Sequence, residues 1–238
     1  MIKVELHVHS KGGSYCALAS AKEIAARFSS EGYGAIMLTN HYSKKAFEDY
    51  PTQDFKGRMD YFFSLFEETK KECAEYGVKV FCGVEVATAP YGTEYILVGF
   101  DRDFLYDNGD LTELNQQQLF ALAEKYNLFM YQAHPKRQGA KTGDAKFMHG
   151  AESFNSHWHH HNYNMLAEKF CKDNNLIELS GNDFHGPEQP IIGGVLIPDR
   201  INDEKSLAAY LKSGKCKMIK KDEQGYQTWL RYFMESKI

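Results

Sequence analysis

The chain has 238 residues, of which 43% are hydrophobic, 25% charged and 14% aromatic, with a net charge of −4. This is the composition of a soluble globule large enough for one core; it has no basic excess for nucleic acid as a polymer ligand, and no apolar run of about 18 residues to span a membrane. The cysteines (Cys16, Cys73, Cys82, Cys171, Cys216) are scattered, odd in number and without a CxxC pair, which predicts unpaired thiols in a reducing, cytoplasmic setting.

The first residues enter a strand through Lys3 and Glu5, so no signal peptide is expected. Along this strand (3–8) and just past it, side chains alternate: Glu5, His7 and His9 share one face, and Val4, Leu6 and Val8 the other. Two imidazoles spaced this way can converge on one ion, although the pair alone fits hydrogen-bonded core histidines at least as well. A helix over 20–31 opens with a capping box, Ser20 with Glu23, and stops at Gly32. The strand AIMLT (35–39) leads to His41. A long amphipathic helix carrying Phe55, Met59, Phe62, Phe63 and Phe66 ends at Gly77. Strands follow at 78–87 and 95–100, then a helix near 112–126 and a strand at 128–133 that Pro135 halts just after His134. Shorter strands at 150–154, 176–180 and 194–197 alternate with helices near 157–172 and 202–213. No linker divides the chain, so one domain over 1–238 is expected, with 200–238 as peripheral helix and strand additions. Repeated strand–helix order without a GxGxxG or P-loop motif predicts an α/β fold, a barrel in preference to an open sheet.

The ionisable residues inside apolar surroundings carry the functional signal. Glu85 lies in FCGVEVA, where an unpaired carboxylate would be costly to bury, and Gly83 leaves room beside it. His41, His134, and Asp183 with His185 in GNDFH, all fall at or beyond the carboxyl end of a predicted strand, where β/α barrels assemble their active sites. Imidazoles and carboxylates without thiolate suit Zn, Mn or Fe. Arg137 in HPKR is the first choice for a phosphate-binding cation, with Lys44 and Lys45 behind it.

The ordered set HxH (His7, His9), TNH (His41), GVE (Glu85), AHP (His134) and GNDFH (Asp183, His185) resembles the PHP (polymerase and histidinol phosphatase) family of metal-dependent phosphoesterases, from His7 to about Gly194. The resemblance implies a distorted (β/α)7-type barrel and a site for two or three divalent ions. It implies that His7, His9, Glu85 and Asp183 hold one ion and that Glu85 bridges to a second ion also held by His134. His41 and His185 would line a third position. Two positions depart from the family pattern. Tyr15 stands where members commonly place His or Asp, which predicts a weakly held third ion. Glu94 and Tyr95 stand where members often carry His, and Glu94 is read first as an exposed strand-edge glutamate, with a ligand role as the alternative.

The expected activity is hydrolysis of a small phosphate monoester by metal-activated water, with His185 as candidate leaving-group acid. The rivals are an amidohydrolase-type C–N or C–O hydrolase and a catalytically silent metal-binding module. The run His157–His161 reads as a polar, exposed helical face, with metal capture by His157 and His161 at i, i+4 spacing or substrate contact by one or two of them as alternatives, and Glu152 and Asn155 read as supporting groups. No feature of the sequence sets an oligomeric state.

Overall fold

Short runs of β-branched and aromatic residues build one 10-stranded sheet within residues 1–220, the part of the chain that this computed structural model describes. The strands are β1 (Ile2–Val8), β2 (Ala35–Leu38), β3 (His41–Tyr42), β4 (Lys79–Thr88), β5 (Thr93–Val98), β6 (Phe129–Gln132), β7 (Gly150–Asn155), β8 (Ile177–Gly181), β9 (Val195–Ile197) and β10 (Lys217–Met218). They lie side by side in the order β10-β9-β1-β2-β4-β5-β6-β7-β8, with β3 beside β4. Beyond β8, Phe184 N donates to His7 O and His9 N donates to Phe184 O, both at 2.9 Å. The sheet thus curls back onto its first strand as a nearly closed barrel of the distorted β/α type that the sequence predicts.

The distortion has a definite source. β5 runs against β4 and β6, and β9 runs against β1, whereas β1–β2, β2–β4, β6–β7 and β7–β8 are parallel. The reversal of β5 brings its amino end, carrying Glu94, to the rim where the parallel strands finish.

Helices α1 (Ala21–Ser30), α2 (Lys44–Glu48), α3 (Phe55–Glu75), α4 (Arg102–Asp107), α5 (Gln116–Lys125), α6 (Asn164–Asp173) and α7 (Glu204–Lys212) surround the sheet. The Ser20–Glu23 capping box forms as expected. One apolar cluster joins Ile24 and Phe28 of α1 and Met59, Phe62 and Phe66 of α3 to Ile36, Leu38, Val80, Cys82, Val84 and Val86. Phe81 faces a second cluster with Met37, Ile96, Phe129, Tyr131 and Leu179. Alternation along β4 therefore puts Glu85 on the Phe81 side. Gly83 lies between them, where a Cβ would come within 2.9 Å of the Met37 side chain.

Two helices start later than the sequence predicts. Residues 111–113 form a 3-10 turn, and α5 begins only after Asn115, which makes a reciprocal cap with Gln118. The histidine run at 157–161 is not helical; α6 begins at Asn164. Asn162 Nδ2 donates to the Asn155 and His157 carbonyls, and Asn164 bonds the Asn155 backbone from both ends of its amide. These side chains compete with the helix for backbone partners, which holds the segment in a loop. Of the additions expected over 200–238, those beyond 220 lie outside the described residues.

Candidate metal centre

The carboxyl ends of the parallel strands bring His7, His9, His41, Glu85, His134, Asp183 and His185 together, as the sequence pattern predicts. His7 Nε2 lies 3.2 Å from both Glu85 Oε1 and Asp183 Oδ1. His9 Nε2 lies 3.3 Å from Glu85 Oε2 and 3.1 Å from Asp183 Oδ1. Glu85 reaches further: Oε2 is 3.1 Å from His41 Nε2, and Oε1 is 3.3 Å from His134 Nε2. An ion with bonds of about 2.0 Å in tetrahedral geometry spaces its ligands about 3.3 Å apart. These separations match such a shell.

The hydrogen bonding supports the same conclusion. His7 Nε2, His9 Nε2, both Glu85 carboxylate oxygens and Asp183 Oδ1 are buried and have no hydrogen-bond partner. Orphaned buried polar atoms are costly, and here they aim at one another. The far side is satisfied in three of the rings, whereas His134 Nδ1 is buried without a partner. His7 Nδ1 bonds Glu152 Oε1, His9 Nδ1 bonds Ser14 Oγ and His185 Nδ1 bonds the Asp183 carbonyl, each at 2.9 Å. The Glu152 carboxylate and the Asp183 carbonyl can only accept, so neutral His7 and His185 donate to them from Nδ1 and keep the Nε2 lone pair for an ion. The donor set fits a group of divalent cations.

Charge coupling across the cluster is strong. Burial pulls His7 down, yet Asp183, Glu152 and Glu85 outweigh it and hold the imidazole well above its usual pKa. Burial, with His185 and His41 nearby, pulls His9 well below its usual value. Burial alone would raise Glu85 and Asp183, but the charge on His7 leads the interactions that hold both well below the ordinary carboxylate range.

Strained backbone helps to aim two of these groups. His134 has φ 31° and Asp183 has φ 50°, a region that costs a non-glycine residue about 1–3 kcal/mol and recurs at functional sites. Glu152 accepts from His134 N at 2.9 Å while its other oxygen holds His7, so one carboxylate positions groups from two strands. Gly181 makes room for this, because a Cβ there would overlap Glu152 Oε1. In Glu152→Gln the amide oxygen would keep the two donors His134 N and Asn155 Nδ2, which turns the NH2 toward His7 Nδ1 and takes away the acceptor that fixes its tautomer. This variant should hold metal about 10–100-fold more weakly in a chelator competition; unchanged affinity would show that His7 is held without Glu152.

Several residues sit elsewhere than the sequence suggests. Glu94 is not an exposed edge residue: it groups with His41 and Glu85, and its Oε2 lies 3.5 Å from His134 Nε2. Burial, reinforced by Glu85, raises its pKa. His157 is buried within ligand distance of Asp183 and His185, and burial pushes it down to about 2. Lys44 pairs with Glu113 at 2.7 Å on the surface, where both side chains are largely exposed, and so is not committed to the site. Lys45 lies 3.9 Å over the ring of Tyr15, whose centroid is 5.4 Å from that of His41. Arg137 reaches the centre, donating from Nη2 to Asp183 Oδ2 and Asn155 Oδ1 and from Nε to Asn162. Asn40 ties down Ser10; Ser14 accepts from His41 N and bonds His9 Nδ1, and so touches two imidazole-bearing residues. Ser14 carried no signal in the sequence, since only folding brings it under both.

The PHP domain family model matches residues 5–231. No curated protein matches the sequence. Among solved structures, PsfC from Pseudomonas syringae is similar over 100% of this chain and 99% of its own, with TM-score 0.69 and 13% identity. A two-domain protein from Bacteroides vulgatus, described as containing a predicted PHP-like metal-dependent phosphoesterase, is similar over 91% of this chain, with TM-score 0.62 and 16% identity. The chain spans 64% of that protein's length. A lesion-specific endonuclease from Pyrococcus furiosus is similar over 91% of this chain and 57% of its own, with TM-score 0.57 and 15% identity. Among the described residues, no helix is long and apolar enough to cross a membrane.

Proposed function

The chain belongs to the PHP domain family, and from that premise we propose that it is a metal-dependent phosphoesterase acting on a small phosphate monoester. The observation that carries this reading is the shared, partnerless Glu85 carboxylate, which has imidazoles on both of its oxygens. His7, His9, Glu85 and Asp183 would hold one ion, Glu85 with His134 a second, and His41 with His185 a third. Bound there, divalent ions supply Lewis acidity and bring the pKa of water toward neutrality.

The protein's own groups do the rest. Arg137, fixed by Asp183, Asn155 and Asn162, presents a planar cation beside the centre, suited to orienting phosphoryl oxygens. Lys45 adds positive charge at the Tyr15 side of the opening. His185 is better suited to a ligand role than to that of leaving-group acid, because burial pushes it down to about 4 and leaves Nε2 unprotonated at neutral pH. A pocket of about 270 Å3 opens beside Glu94, His134 and Arg137, with Gln132, Tyr91 and Lys141 on its other walls. Its size favours a small leaving group over a nucleic-acid strand.

The test is turnover by the protein loaded with Mn2+, Zn2+ or Fe2+ on a panel of small phosphate monoesters, an aryl phosphate, cyclic amides and duplex DNA with an abasic lesion. Hydrolysis of the small esters, lost in His9→Ala, is expected. Cleavage of the DNA or the amides alone would replace this substrate class.

A further inference from the structure

Strand β5 carries two hydroxyls that the metal centre does not use. Glu94 turns toward His134, so its neighbours Thr93 and Tyr95 share the opposite face of the strand. Both line a second pocket, of about 300 Å3, whose walls include Asn115, Gln117, Asp144 and Phe147. It adjoins the 270 Å3 pocket beside His134 and Arg137, because Tyr91, Thr93 and Lys141 line both. Lys141 Nζ lies 3.1 Å over the Tyr91 ring, and this pair stands at the boundary.

Tyr95 is 1% exposed, yet among the described residues neither its hydroxyl nor that of Thr93 has a hydrogen-bond partner. A buried hydroxyl left unpaired is costly, and this one faces a cavity. Gly143 leaves it room, since a Cβ there would overlap the Tyr95 oxygen. The wall opposite is fastened. Buried Gln132 donates to the Lys141 carbonyl at 2.8 Å and accepts from Gly143 N at 3.0 Å, and Gln116 bonds both backbone groups of Asp144 at 2.7 and 2.9 Å. The site is therefore shaped before any ligand enters.

Hydroxyls both donate and accept, so other hydroxyls match them well. Lys141 and Asp144 put charges of opposite sign on the walls, which gives an ionic guest no advantage. The geometry points to a leaving-group subsite: a neutral, polyhydroxylated alcohol of sugar size, esterified to phosphate at the metal centre, extends past Tyr91 and Lys141 and seats its hydroxyls on Thr93 and Tyr95. This rests on the phosphoesterase reading and names the class of alcohol released. Water adds to phosphorus, the ester P–O bond breaks, and the alcohol leaves with one proton of that water.

The test compares kcat/KM of the metal-loaded full chain for sorbitol 6-phosphate and hexyl phosphate, six-carbon primary esters that differ in their hydroxyls. Wild type should favour sorbitol 6-phosphate about tenfold or more, and Tyr95→Phe and Thr93→Val should each cut that ratio about fivefold. Tyr95→Phe should keep the wild-type unfolding midpoint in urea, because no protein hydrogen bond goes with the hydroxyl; a fall would assign the hydroxyl to the fold and overturn the proposal. If one variant fails to fold, the other and the wild-type ratio still decide. Equal kcat/KM for the two esters, or a ratio unchanged in both variants, would overturn the subsite and leave the phosphoesterase reading standing. A crystal soaked with the phosphonate analogue of sorbitol 6-phosphate separates the two ideas. Turnover of neither ester, with the analogue's hydroxyls on Thr93 and Tyr95, would overturn the phosphoesterase reading and keep the pocket; turnover of neither with no analogue there would overturn both.

Discussion

Replacing Glu85 with alanine should lower phosphoester turnover about a thousandfold or more, equivalent to about 4 kcal/mol of transition-state stabilisation. Its two oxygens are within 3.1–3.3 Å of His7, His9, His41 and His134, so one side chain joins imidazoles from three separate segments of the chain. The variant removes a shared ligand and leaves four imidazoles without the anion that spaces them. Glu85 is 1% exposed and sits in a strand whose neighbours Val84 and Val86 anchor it in the opposite core. Alanine is compatible with that strand, so the fold should survive. Circular dichroism should match wild type, while elemental analysis should show ions lost. Full turnover with a full complement of metal would remove Glu85 from the mechanism.

Arg137→Ala should have the second largest effect, and it should depend on metal. The guanidinium is 13% exposed and donates to Asp183, which is 1% exposed. Removing one partner of a buried pair costs about 3–5 kcal/mol, because the other charge is left uncompensated. In the chelated protein, Asp183 would keep only the neighbouring imidazoles as partners, and the unfolding free energy read from urea denaturation should drop by that amount. In the metal-loaded protein, an ion on Oδ1 supplies the missing positive charge, and the drop should shrink. Arg137→Lys should recover part of the stability but less of the turnover, since an ammonium cannot reproduce the planar fork. Equal destabilisation with and without metal would mean that Asp183 does not hold an ion.

Strand periodicity put Glu85 on the side of the sheet opposite Val84 and Val86, and Pro135 marked the rim position of His134; both were legible because they are local. The late start of α6 was not legible, because Asn155, Asn162 and Asn164 lock the histidine run into a loop through contacts that form only once β7 is in place. As a result His157 became buried beside Asp183 when helical spacing implied a solvated face.

Glu94 is the clearest case. Its chemistry was visible in the chain, but its location depended on the direction of β5. Strand direction is decided by pairing with β4 and β6, through backbone hydrogen bonds that carry no residue signature.

The sequence by itself determined the barrel class, the family and the inward set from His7 to His185, because these rest on alternation, strand ends and residue type. Only the tertiary structure decided that Glu94 joins the centre, that Ser14 and Glu152 hold the imidazoles, and that Arg137 is tied to Asp183. Those outcomes depend on distances between segments remote in the chain, which strand reversal and loop closure set and local pattern does not record.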